Sequence, residues 1–280
     1  MEQIQSAIAK ARAARERGGD VARSTPRPAI PAVSAAVAPT ADTAAAAWMA
    51  LDTFTPEPRL MQRNHIAAFE GGPEAVTFDV MRTKLLQQMR ANNWRRLAIT
   101  SPGAGCGKTT TALNLAFSLA RQAEQRTILA EIDLRRPSIA RILGLTRQQS
   151  FASVLGGTAD FAQHALRYGS NLAVATNHTA VRNPAELLHG ATVGAALAQI
   201  EEKYAPTMMI FDMPPMLVSD DTMAFMRHVD CVLILAAAES TTIAEVDVCE
   251  RDLAAQTNVL GVVLNKCRFP DRRYGYSQYS

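Results

Sequence analysis

Apolar and polar positions along the chain fall into two rhythms and two stretches with neither. Six short runs are β-branched or apolar without polar alternation: Leu97–Thr100, Thr127–Ile132, Asn171–Ala175, Met208–Phe211, Val232–Leu235 and Leu260–Leu264. Runs of that kind predict strands buried on both faces of a parallel sheet. Between them the spacing turns helical. Glu74 to Asn92 places Phe78, Met81, Leu85 and Met89 along one face, and "TTTALNLAFSLARQ" does the same with Ala112, Leu115, Ala116 and Leu119. Strands alternating with helices predict an α/β domain, a doubly wound, mostly parallel sheet flanked by helices. Ligands in that architecture sit at the carboxyl ends of the strands.

The ends of the chain read differently. Residues 1–17 form an amphipathic helix in this reading, with Ile4, Ala7, Ile8 and Ala11 on one side and Lys10, Arg12 and Arg15 on the other. Such a helix either touches a membrane surface or partner, or docks on its own protein. Residues 18–47 are rich in Ala, Pro and Thr with almost no large apolar side chain, which predicts a flexible linker. The compact domain is then 48–268, followed by a tyrosine-rich tail, 269–280.

Composition narrows the class. An apolar content of 48% with 20% charged residues suits a soluble globular domain. No run of about 18 uncharged apolar residues predicts a membrane span, and the start "MEQIQSAIAKARAARERGGD" has no apolar signal region. A cytoplasmic protein is the expectation. The net charge of +3 is too small to point to nucleic acid as a partner. Cys106, Cys231, Cys249 and Cys267 show no metal-like spacing and read as free thiols.

The chemistry lies just after the apolar runs. "LAITSPGAGCGKTTTALNLA" joins a strand to a helix through Gly103, Ala104, Gly105, Cys106, Gly107, Lys108, Thr109 and Thr110. A glycine-rich turn lets backbone N–H groups converge on a phosphate at a helix N-terminus. Lys108 would reach the outer phosphates, and the Thr109 hydroxyl would ligate Mg²⁺. Pro102 stands where the strict pattern has its first glycine, a position that begins the turn without contacting phosphate through a side chain. A P-loop NTPase fold that binds nucleotide follows. The second site is "ILAEIDLRRP", where Glu131 and Asp133, two residues apart, can face one site, one binding Mg²⁺ and the other accepting a proton. The third is "MMIFDMPP", where Asp212 can hold metal-bound water. Taken singly, each acid could be a loop carboxylate that caps a helix; three strand-end sites in this order argue for chemistry.

On these residues the chain resembles the bacterial tyrosine kinases, the cytoplasmic autokinases of capsule and exopolysaccharide systems. The likeness runs from about Phe78 to the C-terminus. It rests on the loop above, "ILAEIDLRRP", "IFDMPPMLVSDD" and the tyrosine-rich tail, with weaker echoes in "SFASVLGG", "NPAELLHG" and "GVVLNK". The resemblance implies a P-loop fold that uses ATP and Mg²⁺ to phosphorylate tyrosine. It gives Lys108 to the phosphates, Thr109, Asp133 and Asp212 to the metal, and Asn265 to adenine. Glu131 stands where the family usually has aspartate, a candidate base for the tyrosine hydroxyl. The family also implies self-association for phosphorylation in trans, and a polysaccharide co-polymerase of the inner membrane as activator. The chain would thus be peripheral to that membrane through its partner. The family's E-x-x-R-x-x-R ring motif falls on Val76, Asp79 and Arg82, so one residue of three is kept.

The tail adds its own observation. Tyr274, Tyr276 and Tyr279 crowd the last seven residues beside Gly and Ser, a composition that does not pack as core. They are the candidate phosphoacceptors. Each phosphate would add about two negative charges next to Arg272 and Arg273. A partitioning ATPase of the MinD/ParA type shares the fold, but its signature lysine position holds Gly103. A non-catalytic nucleotide-binding regulator is the third reading.

Overall fold

The computed structural model describes residues 41–268. The predicted N-terminal helix, most of the linker and the tail with Tyr274, Tyr276 and Tyr279 lie outside them. Seven strands form one sheet in the order β3-β4-β2-β5-β1-β6-β7. They are β1 (Arg96–Thr100), β2 (Thr127–Glu131), β3 (Ala165–Tyr168), β4 (Leu172–Ala175), β5 (Met208–Asp212), β6 (Cys231–Ala237) and β7 (Asn258–Asn265). All neighbours run parallel except β3, which pairs antiparallel with β4 at one edge.

All six predicted runs are strands. The residues of β2, β4, β5 and β6 are buried throughout, because helices cover both faces of the sheet. Two apolar cores result. One packs Leu97, Ile99, Leu113, Leu115 and Phe117 beneath the helices Val76–Ala91 (α2) and Lys108–Ala120 (α3). The other packs Phe151, Phe211, Phe225 and Tyr204 beneath Ala191–Tyr204 (α4) and Ile243–Ala254 (α5). β3 was missed by sequence periodicity. It is four residues long, includes an arginine and a tyrosine, and borrows its order from β4 and from residues 52–54, whose backbone bonds to Arg167 on both sides.

The linker boundary at 47 needs correction. Residues Ala41–Met49 are an α-helix (α1). Trp48 is 1% exposed, and its indole Nε1–H donates to the carbonyl of Tyr204 at 2.6 Å. One tryptophan at the end of an alanine-rich stretch is enough to dock the turns before it. α2 follows a 3-10 turn at Pro73–Ala75 and runs one or two residues short of the predicted bounds. Asp79 and Arg82, at the ring-motif positions, are used inside the chain: the Asp79 carboxylate takes Arg82 at 3.1 Å, the Ser118 hydroxyl at 2.5 Å and the Arg121 guanidinium. The trio fastens α2 to α3.

The strand order is what builds a site. From β1 the chain skips one position to form β2, and β5 later fills the gap. The carboxyl ends of β1, β5 and β2 therefore lie side by side, with Ile99 beside Asp212 and Asp212 beside Glu131.

Candidate active site

The loop from Ser101 to Gly107 leaves β1 and delivers the chain into α3. Gly105 and Gly107 hold φ of +77° and +92°, the left-handed region where glycine carries no side-chain penalty. Gly107 is doubly constrained, because a Cβ there would sit 2.3 Å from the Asn265 amide nitrogen. Pro102 fits without a turn defect: its carbonyl accepts the Leu217 N–H at 3.1 Å, and Ser101 accepts Met216 at 2.8 Å. The first glycine of the strict pattern is thus replaced by a residue stitched to the segment after β5.

Lys108 opens α3 and is 7% exposed. The Thr109 hydroxyl donates to Asp212 Oδ2 at 2.7 Å, leaving the oxygen's lone pairs open to a cation. Asp212 is wholly buried, and its other oxygen, Oδ1, has no hydrogen-bond partner. Burial pushes this carboxyl up to about 7, against the pull of the Thr109 hydroxyl and with the Glu131 charge adding to the rise. Asp133 is half-buried; Oδ1 accepts the Arg136 N–H at 3.1 Å. Burial raises it from its ordinary value, while that N–H and the Lys108 charge pull it down. Lys108, Thr109, Asp133 and Asp212 are thus brought together. An orphaned buried oxygen, a threonine hydroxyl and an ammonium within mutual electrostatic reach fit a phosphate-bound divalent cation.

Three predicted residues play other parts than expected. Glu131, proposed to share a site with Asp133 as base, is fully buried. Its Oε1 accepts Ser138 N–H at 2.5 Å and Ile139 N–H at 2.8 Å, and Oε2 accepts Asn177 N–H at 2.9 Å. Burial pushes it up to about 7 in spite of these donors. It caps the first turn of the helix Ile139–Leu143 from the side, the alternative that any loop carboxylate allows. Asn265, expected at adenine, gives its amide nitrogen to the Cys106 carbonyl at 2.9 Å and braces the loop. The Cys106 thiol faces the core, 2% exposed, near the Gly103 carbonyl at 3.4 Å and the Thr241 hydroxyl at 3.6 Å. Only its backbone is available to a phosphate. Gly103 and Ala104 lie at the surface of the loop, and Thr110 gives its carbonyl to Asn114 at 2.8 Å.

Sequence reading missed Asp221 and Asn177. Asp221 is buried and receives a two-point ion pair from Arg135, at 2.5 and 3.0 Å, which ties the loop after β2 to the segment after β5. The pair stood in view as the arginines of "LRRP" and the acids of "VSDD", but nothing in the spacing says they meet.

A family model described as ParA, NUBPL iron-transfer P-loop NTPase, matches residues 93–278. The VpsO kinase domain superimposes with a TM-score of 0.60 at 30% identity, covering 69% of this chain and 96% of that one. The chain belongs to the ParA class of P-loop NTPases and, within it, to the bacterial tyrosine kinases. The tyrosine-protein kinase YwqD of Bacillus subtilis is 28% identical over 222 residues, 77% of this chain and 92% of that one. The tyrosine-protein kinase wzc of Salmonella typhi is 28% identical over 202 residues, and there the match spans 27% of the relative's length. The chain thus spans about a quarter of the length of that relative.

Proposed function

We propose that the chain is an ATP-dependent protein-tyrosine autokinase that regulates capsular or exopolysaccharide synthesis, chain length or export. The observation that carries the reading is the Thr109–Asp212 pair beside Lys108, with Asp212 Oδ1 buried and unpartnered, in a family whose relatives are tyrosine-protein kinases. The acceptors are Tyr274, Tyr276 and Tyr279 of another copy, a homo-oligomer providing phosphorylation in trans. The proposed partner is an inner-membrane co-polymerase that holds the chain at the membrane's cytoplasmic face; among the described residues no helix is long and apolar enough to cross a membrane.

The chemistry needs little beyond positioning and charge. Thr109, Asp133 and Asp212 would hold Mg²⁺, which when bound neutralises phosphate charge. The loop N–H groups would cradle the phosphates, and Lys108 would compensate charge on the transferred group. Incubation with ATP and Mg²⁺ followed by phosphotyrosine mapping tests the reading. Wild type is expected to carry phosphate on the tail; Lys108→Met and a triple Tyr→Phe variant at 274, 276 and 279 are expected to carry none there. ATP hydrolysis without phosphotyrosine, with a cognate membrane partner present, would sink it in favour of a partitioning-type ATPase.

A further inference from the structure

Between β2 and the helix Ile139–Leu143 the chain makes a short excursion, Ile132 to Pro137, that carries Asp133, Arg135 and Arg136. Its near end is pinned to β5, where the N–H groups of Ile132 and Asp133 donate to the Asp212 carbonyl at 2.9 and 3.0 Å. Its far end is pinned by one side chain. Glu131 Oε1 receives the N–H groups of Ser138 and Ile139, so a residue at the start of the loop clasps the two residues at its end. The other oxygen, Oε2, receives Asn177 N–H just past β4, and Asn177 Nδ2 returns a bond to the Glu131 carbonyl at 3.1 Å. Asn177 Oδ1 in turn accepts Ala152 N–H at 2.9 Å. Three donors and no exposure leave this carboxylate without access to a substrate hydroxyl.

We infer that Glu131 is a positioning residue: it closes the Ile132–Pro137 loop and ties it to β4, so that Asp133 stands beside Lys108 and Asp212. The extra methylene of glutamate over aspartate supplies the reach to the Ser138 and Ile139 N–H groups. The role in phosphoryl transfer rests on the kinase reading; the role in holding Mg²⁺ and nucleotide does not.

Three variants decide it: Glu131→Gln, Glu131→Asp and Asn177→Ala. Each is measured for tail phosphorylation at varied ATP and Mg²⁺, and for equilibrium binding of a non-hydrolysable ATP analogue with and without Mg²⁺. Gln keeps the reach and one acceptor oxygen, whereas Asp keeps a basic carboxylate and loses the reach. A positioning role therefore ranks Glu131→Gln above Glu131→Asp in phosphorylation. It also weakens Mg²⁺-dependent analogue binding by about tenfold in Glu131→Asp, the size usual for outer-shell partners of a metal site, with KM affected more than kcat. Glu131→Asp equal to or above Glu131→Gln overturns the inference, since that is the order a proton acceptor gives. Should both Glu131 variants fail to fold, Asn177→Ala decides alone: about tenfold weaker Mg²⁺-dependent binding supports positioning, and unchanged binding overturns it. A wild type that hydrolyses ATP without making phosphotyrosine removes the kinase reading and leaves the binding comparison standing.

Discussion

Glu131 and Asp212 are partners across the β2–β5 ladder, and neither has any exposure to solvent. Burial pushes both carboxyls up to about 7. Their partners differ. Glu131 spends its oxygens on three backbone N–H groups of its own fold. Asp212 has one threonine hydroxyl and one oxygen with nothing to accept. A buried polar atom without a partner is costly and uncommon, so the incomplete account marks the acid that faces a ligand. Depth and perturbed acidity, taken alone, would have ranked the two residues together.

The strongest way to break that comparison is Asp212→Asn. The amide keeps the shape and loses the charge a cation needs, so Mg²⁺-dependent ATP turnover is expected to fall about a thousandfold. The melting temperature of the nucleotide-free protein should hold or rise, because an uncompensated buried charge has gone. Turnover retained alongside a lowered melting temperature would reverse the roles assigned to the two acids. Glu131→Ala is the converse change. It strands the Ser138, Ile139 and Asn177 N–H groups, and about 3 kcal/mol of folding stability should disappear from urea titrations in the absence of nucleotide. A loss below about 1 kcal/mol would mean that the three bonds do not hold the loop.

The same pair shows what a sequence displays and what it hides. Buried parallel strands announce themselves because both faces demand apolar residues, and all six such runs formed strands. The phosphate loop was legible because glycines, lysine and threonine keep fixed offsets between a strand and a helix. Contacts across the fold were not. That Glu131 spends its oxygens on backbone donors depends on where Asn177 and Ser138 come to lie, and strand alternation stops governing side-chain direction once β2 ends at Glu131. The same holds for Arg135 with Asp221, 86 positions apart. β3 and α1 escaped for a different reason: each owes its order to neighbours, β4 for the one and Tyr204 for the other.

Proton binding offers the smallest and most discriminating test. In the metal-free, nucleotide-free protein, burial raises Glu131, Asp133 and Asp212, so each binds its proton more tightly folded than unfolded. For Glu131 and Asp212 that contribution to stability is complete below the ordinary carboxylate range and is lost as pH rises through about 7. His228 works in the opposite direction. Burial first, then the charges of Arg227 and Arg96, lowers its imidazole from 6.5 to about 4. Its contribution is present above 6.5 and is lost as pH falls toward 4. The two trends share one window, between about 4 and 7, and two acids oppose one imidazole, so urea midpoints measured across it with a chelator should fall as pH rises. His228→Gln should steepen that fall, and Asp212→Asn should make it shallower. Glu131→Gln should also make the fall shallower while lowering the whole curve, since its amide NH₂ meets the Asn177 N–H donor to donor. An Asp212→Asn variant with an unchanged slope would show that Asp212 is not the buried, proton-holding acid of the pair. The contrast would then have to rest on hydrogen-bond partners alone.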